Sequence, residues 1–152
     1  KKIKHLSTTA KVSHEWDFYH DEIGWNLRLP NLNAALGCSQ LEQFPNLLQK
    51  KRELASRYKE AFKSSKNFSF IFDDKDSKSN YWLNTIRLNK PNKMVLNFLL
   101  NNLNKSGFNC RPAWRLINTL PMYRKFPKSD LQNSISLQKS LLNLPSSPSL
   151  LK

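Results

Sequence analysis

A chain of 152 residues has the length of one modest domain, and at 39% hydrophobic it can fill a single core. Its net charge of +14 and pI near 10.0 invite an acidic partner such as nucleic acid, phosphate or a membrane surface, yet the cations fall in ones and twos, and only Lys50-Lys51-Arg52 forms a tight run. Three glycines, Gly24, Gly37 and Gly107, cannot build a P-loop or a dinucleotide fingerprint, and no apolar run is long enough to span a bilayer.

Residues 1–20 show no clean period and read as a short basic segment followed by a polar loop around Ser7-Thr8-Thr9. All three histidines, His5, His14 and His20, lie here, but without the short fixed spacing or nearby cysteine of a zinc site, so no metal site is expected. The two cysteines, Cys38 and Cys110, are far apart and lack C-x-x-C spacing. With no secretory h-region at the start, buried free thiols in a reducing cytoplasm are expected.

From His20 to Gly37 a polar loop is delivered to a helix start. Pro30 suits a first turn, where a missing N–H is tolerated, and Asn31 or Asn33 can accept from the free amides beyond it. Asn26 and Arg28, two residues apart, bring an amide and a guanidinium to that helix N-terminus, a combination suited to an anion; the alternative is that they only cap the helix and pair with neighbouring acids.

The pattern from Asn31 to Lys63 is helical. Leu32, Leu36, Leu41, Phe44, Leu47, Leu48, Leu54, Tyr58 and Phe62 form one apolar stripe, read as core beyond Gly37, with Lys50, Lys51, Arg52, Glu53 and Arg57 mostly on the other side. Pro45 predicts a kink or a fresh helix, and the small residues Ala34, Ala35, Gly37 and Ser39 suit a buried helix at a domain or subunit boundary. Phe68–Phe72 and Tyr81–Leu88 read as antiparallel strands joined by a solvated acidic turn without the glycine or bidentate Glu of a calcium loop. A helix follows from Lys90-Pro91-Asn92, burying Met94, Val95, Phe98, Leu99 and Leu103 and stopping at Gly107; Phe108–Arg111 reads as a third strand.

Arg111-Pro112-Ala113-Trp114-Arg115 places two cations and a flat ring in one loop. Guanidinium and indole together can bind a phosphorylated, ring-bearing ligand, or they can simply pack as an aromatic corner. Ser129-Asp130 caps a last helix, Leu131–Leu142, before Leu144-Pro145-Ser146-Ser147-Pro148. Strand, strand, helix, strand laid on a long helix makes an α+β unit.

Gly24-Trp25-Asn26-Leu27-Arg28-Leu29-Pro30-Asn31-Leu32-Asn33-Ala34-Ala35-Leu36-Gly37, followed by Gln40-Leu41-Glu42, resembles the G-Y-N-x-R-(M/L)-x-N-(L/I)-(N/Q)-A-A-(L/I)-G…Q-L-E signature of the DegT/DnrJ/EryC1/StrS family, with Trp25 in place of Tyr. Arg111 to Tyr123 is similar to that family's R-P-x-W-(K/R)-x-x-H-x-x-P-x-Y segment, with Asn118 where many relatives have His, and the closing Leu144 to Pro148 run matches its L-P-S-S-P ending. The branch most resembled is the perosamine synthetase-like one that makes 4-amino sugars on UDP or GDP carriers.

The resemblance implies the C-terminal small domain of a fold-type I enzyme dependent on pyridoxal 5′-phosphate: a long, kinked helix on a small, mainly antiparallel three-stranded sheet with flanking helices. Residues 1–30 would close the large cofactor domain and supply an active-site loop, and residues 31–152 would form the small domain. It implies Asn26 and Arg28 toward the cofactor phosphate, Arg111, Trp114 and Asn118 toward the substrate, a homodimer with shared active sites, and amino transfer from glutamate to a keto group of a nucleotide-linked sugar for surface polysaccharide. The family's Schiff-base lysine stands in a Ser-rich context before a Gly-Gly pair. No lysine here has that context, so this portion is expected to be inactive alone, not to hold the cofactor alone, and to self-associate through uncovered apolar surface. Two alternatives stay open: a free-standing basic nucleic-acid-binding module, favoured by the charge, and a truncated relative acting as a non-catalytic dimer partner.

Overall fold

A computed structural model describes residues 1–151, in two compact units, Lys1–Phe44 and Pro45–Lys152. The first begins with helix α1 (Lys2–Ser7), formed by the short basic segment in which the sequence shows no clean period. Behind it Thr9 and Ala10 take left-handed backbone, φ 67° and 51°, and the turn they make folds onto Gly24. A Cβ on Gly24 would stand 2.5 Å from the Ala10 nitrogen, so only glycine fits there. Around this contact Thr8 bridges Asn26, Lys11 bridges His20, and Trp25 and Leu27 donate to the carbonyls of Leu6 and Ser7. Lys2 pairs with Glu22 and His5 with Asp21 on the same unit.

Helix α2 (Asn31–Phe62) opens with Ala34 N–H donating to the Pro30 carbonyl, and no fresh helix begins at Pro45. Proline removes only the bond to the carbonyl four residues back, that of Leu41, and Leu41 is 71% exposed, so water can serve that oxygen. The apolar stripe is not one buried face. Leu32, Leu36, Leu41 and Phe44 are exposed, while Leu54 and Ala55 are buried. Beyond its chain neighbours and the backbone of its own helix, nothing among the described residues lies within 4 Å of a Cβ built on Gly37, and Cys38 is exposed rather than buried. Lys51 and Arg52 also depart from the solvent side: Lys51 reaches the Trp82 and Ser146 carbonyls, and Arg52 the carbonyl of Ser79.

The second unit is built on a four-stranded antiparallel sheet. Strands β1 (Phe68–Phe70), β2 (Asn84–Leu88), β3 (Arg111–Pro112) and β4 (Leu141–Leu144) lie in the order β1-β2-β4-β3. The α+β class is as expected, with one strand more. The third strand lies at Arg111–Pro112 instead of Phe108–Arg111, and helix α4 (Gln132–Gln138) stops short of Leu142 because Leu141-Leu142-Asn143-Leu144 serves as a central strand. A short apolar run fits helix or strand equally by pattern, and pairing on both sides decides it here.

Ile86 faces Leu142 across the β2–β4 ladder, and with Leu88, Leu96 and Cys110 they form the core, flanked by Phe62, Phe68, Phe70 and Leu103. Fully burying a residue such as Leu142 contributes about 1.5–3 kcal/mol. Helix α3 (Lys93–Lys105) starts at Asn92, whose side chain accepts from the amides of Met94 and Val95. It ends in a Schellman turn, Gly107 donating to Asn104 and Phe108 to Leu103, with Gly107 at φ 84°. Its inward residues are Leu96, Leu99, Leu100 and Leu103. Leu99 and Leu103 face inward as the sequence pattern assigns, whereas Met94, Val95 and Phe98, assigned inward with them, face solvent, and Leu96 and Leu100 take the remaining inward positions.

Candidate functional site

Two regions carry the residues singled out from the sequence. In the first unit Asn26 sits in the bridge to Thr8, held by the backbone ladder of Trp25 and Leu27 to α1, and Arg28 follows two residues on. Both are exposed, and among the described residues Arg28 makes no ion pair. Of the acids nearest to it in sequence, Glu22 pairs with Lys2 and Asp21 with His5, whose hydrogen bond holds the Asp21 carboxyl below its ordinary range. A free guanidinium three residues ahead of Asn31, where α2 begins, and a free carboxamide five residues ahead of it fit a phosphate. Asn31 and Asn33 cap nothing among the described residues.

His5, Asp21 and Glu22 stand close enough to share an ion, but the two side-chain pairs just named account for all three.

In the second unit the loop leaving β3 separates two clefts. One, of about 850 Å³, is lined by Arg111, Pro112, Trp114, Arg115, Asn143 and the Leu144–Ser147 turn. The other, of about 770 Å³, is lined by Trp114, Arg115, Asn118, Tyr123, Lys128 and Gln138. The structure thus brings Arg111 and Trp114 to one cleft and Trp114 and Asn118 to its neighbour; Arg111 and Asn118 do not share a cavity.

The sheet fixes this arrangement. Arg111 lies opposite Asn143, whose side chain accepts from the Thr85 hydroxyl at 2.7 Å and donates to the Pro112 carbonyl at 3.3 Å. Gln138 donates to the Trp114 carbonyl at 3.1 Å. Trp114 is 66% exposed and its ring lies 6.1 Å from that of Trp82, so it is not the packed aromatic corner that was the alternative.

Sequence reasoning missed part of this cleft and its surroundings: Ser146 and Ser147 in the lining are read there as a closing turn, Trp82 beside Trp114 as strand, and Lys51, which donates to the Ser146 carbonyl, as solvent-facing.

The chain is 33% identical over 140 residues to the GDP-perosamine synthase of Escherichia coli O157:H7, covering 88% of this chain and 35% of that protein. It is 29% identical to the UDP-4-amino-4,6-dideoxy-N-acetyl-beta-L-altrosamine transaminase of Helicobacter pylori over 133 residues, 85% of this chain and 36% of that one. Among solved structures, Helicobacter pylori PseC, an aminotransferase involved in the biosynthesis of pseudoaminic acid, superposes with TM-score 0.84 at 25% identity, over 98% of this chain and 41% of that one. The chain therefore spans about a third of the length of the curated relatives it matches. Residues 1–152 match the DegT/DnrJ/EryC1/StrS aminotransferase family throughout, and the chain belongs to that family.

Proposed function

We propose that this chain is the C-terminal portion of an aminotransferase that moves an amino group from glutamate to a keto group of a nucleotide-linked sugar, in 4-amino sugar formation for surface polysaccharide. The observation that carries the reading is the pairing of Arg111 and Trp114 in one open cleft of a chain whose family is one of pyridoxal-phosphate enzymes. In the proposed division, residues 1–30 finish the cofactor domain and residues 31–152 form the small domain.

The cofactor supplies the site that holds the amino group between the two half-reactions. Asn26 and Arg28 would hold its phosphate by donating to it. Arg111 donates to the substrate diphosphate, and Trp114 offers its ring face to the base or sugar. Asn118, in the neighbouring cleft, is a hydrogen-bonding contact to the far end of the substrate. The lysine that bonds the cofactor lies outside this chain in the proposal, so the chain alone does not transaminate.

Exposed Trp25, Leu27, Leu29, Leu32 and Leu36 support a homodimer in which this corner meets further protein. No helix among the described residues is long and apolar enough to cross a membrane, which is compatible with a cytoplasmic enzyme.

The test is a polypeptide extended upstream of Lys1 through the cofactor domain. It is expected to show the visible absorbance of bound pyridoxal phosphate and to convert a UDP- or GDP-linked 4-keto sugar with glutamate. Arg28→Ala is expected to raise the dissociation constant for the cofactor, and Arg111→Ala to raise KM for the sugar nucleotide without changing cofactor affinity. An extended protein that holds the cofactor but acts equally well on free keto sugars would refute the substrate assignment.

A further inference from the structure

Trp82 stands where the fold does not need a tryptophan. It is 69% exposed, its neighbour Tyr81 is buried, and its ring touches that of Trp114 at 6.1 Å with a 35° tilt, so both indoles keep ring surface open to solvent. The backbone beneath it is firmly held. Tyr81 takes left-handed backbone at φ 47°, with its hydroxyl accepting from the Asp73 amide at 3.2 Å. The Trp82 amide donates to the Asn80 side chain at 3.0 Å, and its carbonyl accepts from Lys51 at 3.4 Å. A buried side chain rarely accepts a left-handed backbone; here that conformation turns Tyr81 in and Trp82 out. The next residue, Leu83, lines the same cleft as Arg111 and Trp114.

We propose that Trp82 and Trp114 form a two-ring platform for the base of a nucleoside diphosphate whose phosphates meet Arg111; this rests on the nucleotide-sugar reading above. Trp82 is then a specificity-determining residue that nothing in the family signatures marks. A nucleobase has a flat π-face that stacks on indole whatever its edge chemistry, and a diphosphate presents the paired oxygens that a guanidinium fork matches. A ring pair on anchored backbone is already ordered, so little conformational freedom is lost when the base arrives. A purine covers more ring than a pyrimidine, so the platform favours GDP over UDP.

The test is calorimetric titration of the chain and its Trp82→Ala, Trp82→Phe and Arg111→Ala variants with UDP, GDP, pyrophosphate and a short oligouridylate. Trp82→Ala is expected to weaken both nucleotides about tenfold and GDP the more, leaving pyrophosphate unchanged, while Trp82→Phe stays within about threefold of the parent. Arg111→Ala is expected to weaken all three. The Trp82 ring is exposed, so Trp82→Ala should unfold at the parent temperature, and Trp82→Phe carries the comparison should it not fold. Trp82→Ala binding UDP and GDP like the parent, or losing pyrophosphate as strongly as UDP, overturns the platform and leaves the cleft reading intact. A parent chain that binds none of the nucleotides or pyrophosphate overturns both. Oligouridylate bound more tightly than UDP at physiological salt overturns the platform in favour of a single strand.

Discussion

Lys51 on α2 donates to the carbonyl of Ser146 at 2.8 Å, spanning 95 positions of sequence, and it ties a helix to the turn that walls the Arg111 cleft. About two helical turns further on, the Tyr58 hydroxyl donates to the Pro145 carbonyl at 3.1 Å. From the sheet side the Asn84 amide donates to the Ser146 hydroxyl at 2.8 Å, and that hydroxyl donates to the Leu144 carbonyl. Burial lowers the Lys51 pKa from its ordinary value, which is the desolvation this tie has to offset. Lys51→Met keeps most of the stem and removes the donor. A charge-assisted bond of this kind contributes about 1.5–3 kcal/mol, so the urea midpoint is expected to fall correspondingly. Equal midpoints would show that water replaces the ammonium without loss.

Asn84 presents the opposite situation. Its side chain is fully buried on the core face of β2, and neither its amide nitrogen nor its oxygen has a partner among the described residues. Leaving a buried polar group unsatisfied costs about 1–3 kcal/mol, whereas an apolar side chain of similar size is free of that penalty. Asn84→Leu is therefore expected to raise the unfolding temperature, read by circular dichroism. A lower one would mean that the carboxamide is engaged in the folded protein.

How much of this was legible in the sequence depends on what each residue type can decide locally. Asn92 and Gly107 mark the two ends of α3 within a residue or two, because a cap side chain and a left-handed glycine act on backbone groups beside them. The inward face of α3 was legible at Leu99 and Leu103 but not at its start, since Met94 and Phe98 are as apolar as Leu96 and Leu100 and only the sheet they meet chooses between the two sets. Strand β4 was hidden for the same reason: its central place depends on β2 and β3, more than 25 residues away in sequence. Of the cleft, Arg111 and Trp114 were readable from one contiguous loop. Ser146 in its wall, and Trp82 and Lys51 beside it, were not, because only the tertiary fold brings them together with that loop.

Tyr81 gives the fold a distinct alkaline signature. Burial, and after it the Asp73 side chain, pushes its phenol up to about 12 from 10.0. Above pH 10 an unfolded chain releases this proton while the folded chain retains it. The stability held by the neutral phenol is thus fully present below pH 10 and is lost as pH rises toward 12. Difference absorbance at 295 nm is expected to show a late-titrating tyrosine, with unfolding in urea easing across the same window. Tyr81→Phe should remove the late step. A single titration of all tyrosines near 10 would contradict the buried phenol.

Gly24 offers the most direct check on the first unit. A methyl group there would lie 2.5 Å from the Ala10 nitrogen, 2.6 Å from the Thr9 carbonyl carbon and 2.8 Å from the Leu6 oxygen, all backbone atoms that cannot swing aside. Gly24→Ala must push the Thr9–Ala10 turn away, weakening the bonds from Trp25 to Leu6 and from Thr9 to Trp25 that hold Asn26 in place. Overpacking of this kind costs about 1–3 kcal/mol or more, concentrated in this unit. Hydrogen exchange is expected to quicken at the amides of Thr9, Trp25 and Leu27 while those of β2 and β4 keep their protection. In the extended protein the same change should weaken pyridoxal phosphate binding through Asn26 and Arg28, and leave nucleotide binding at the Arg111 cleft unaltered. Unchanged exchange at Trp25 and Leu27 would mean that the turn and the glycine strand are not packed as described.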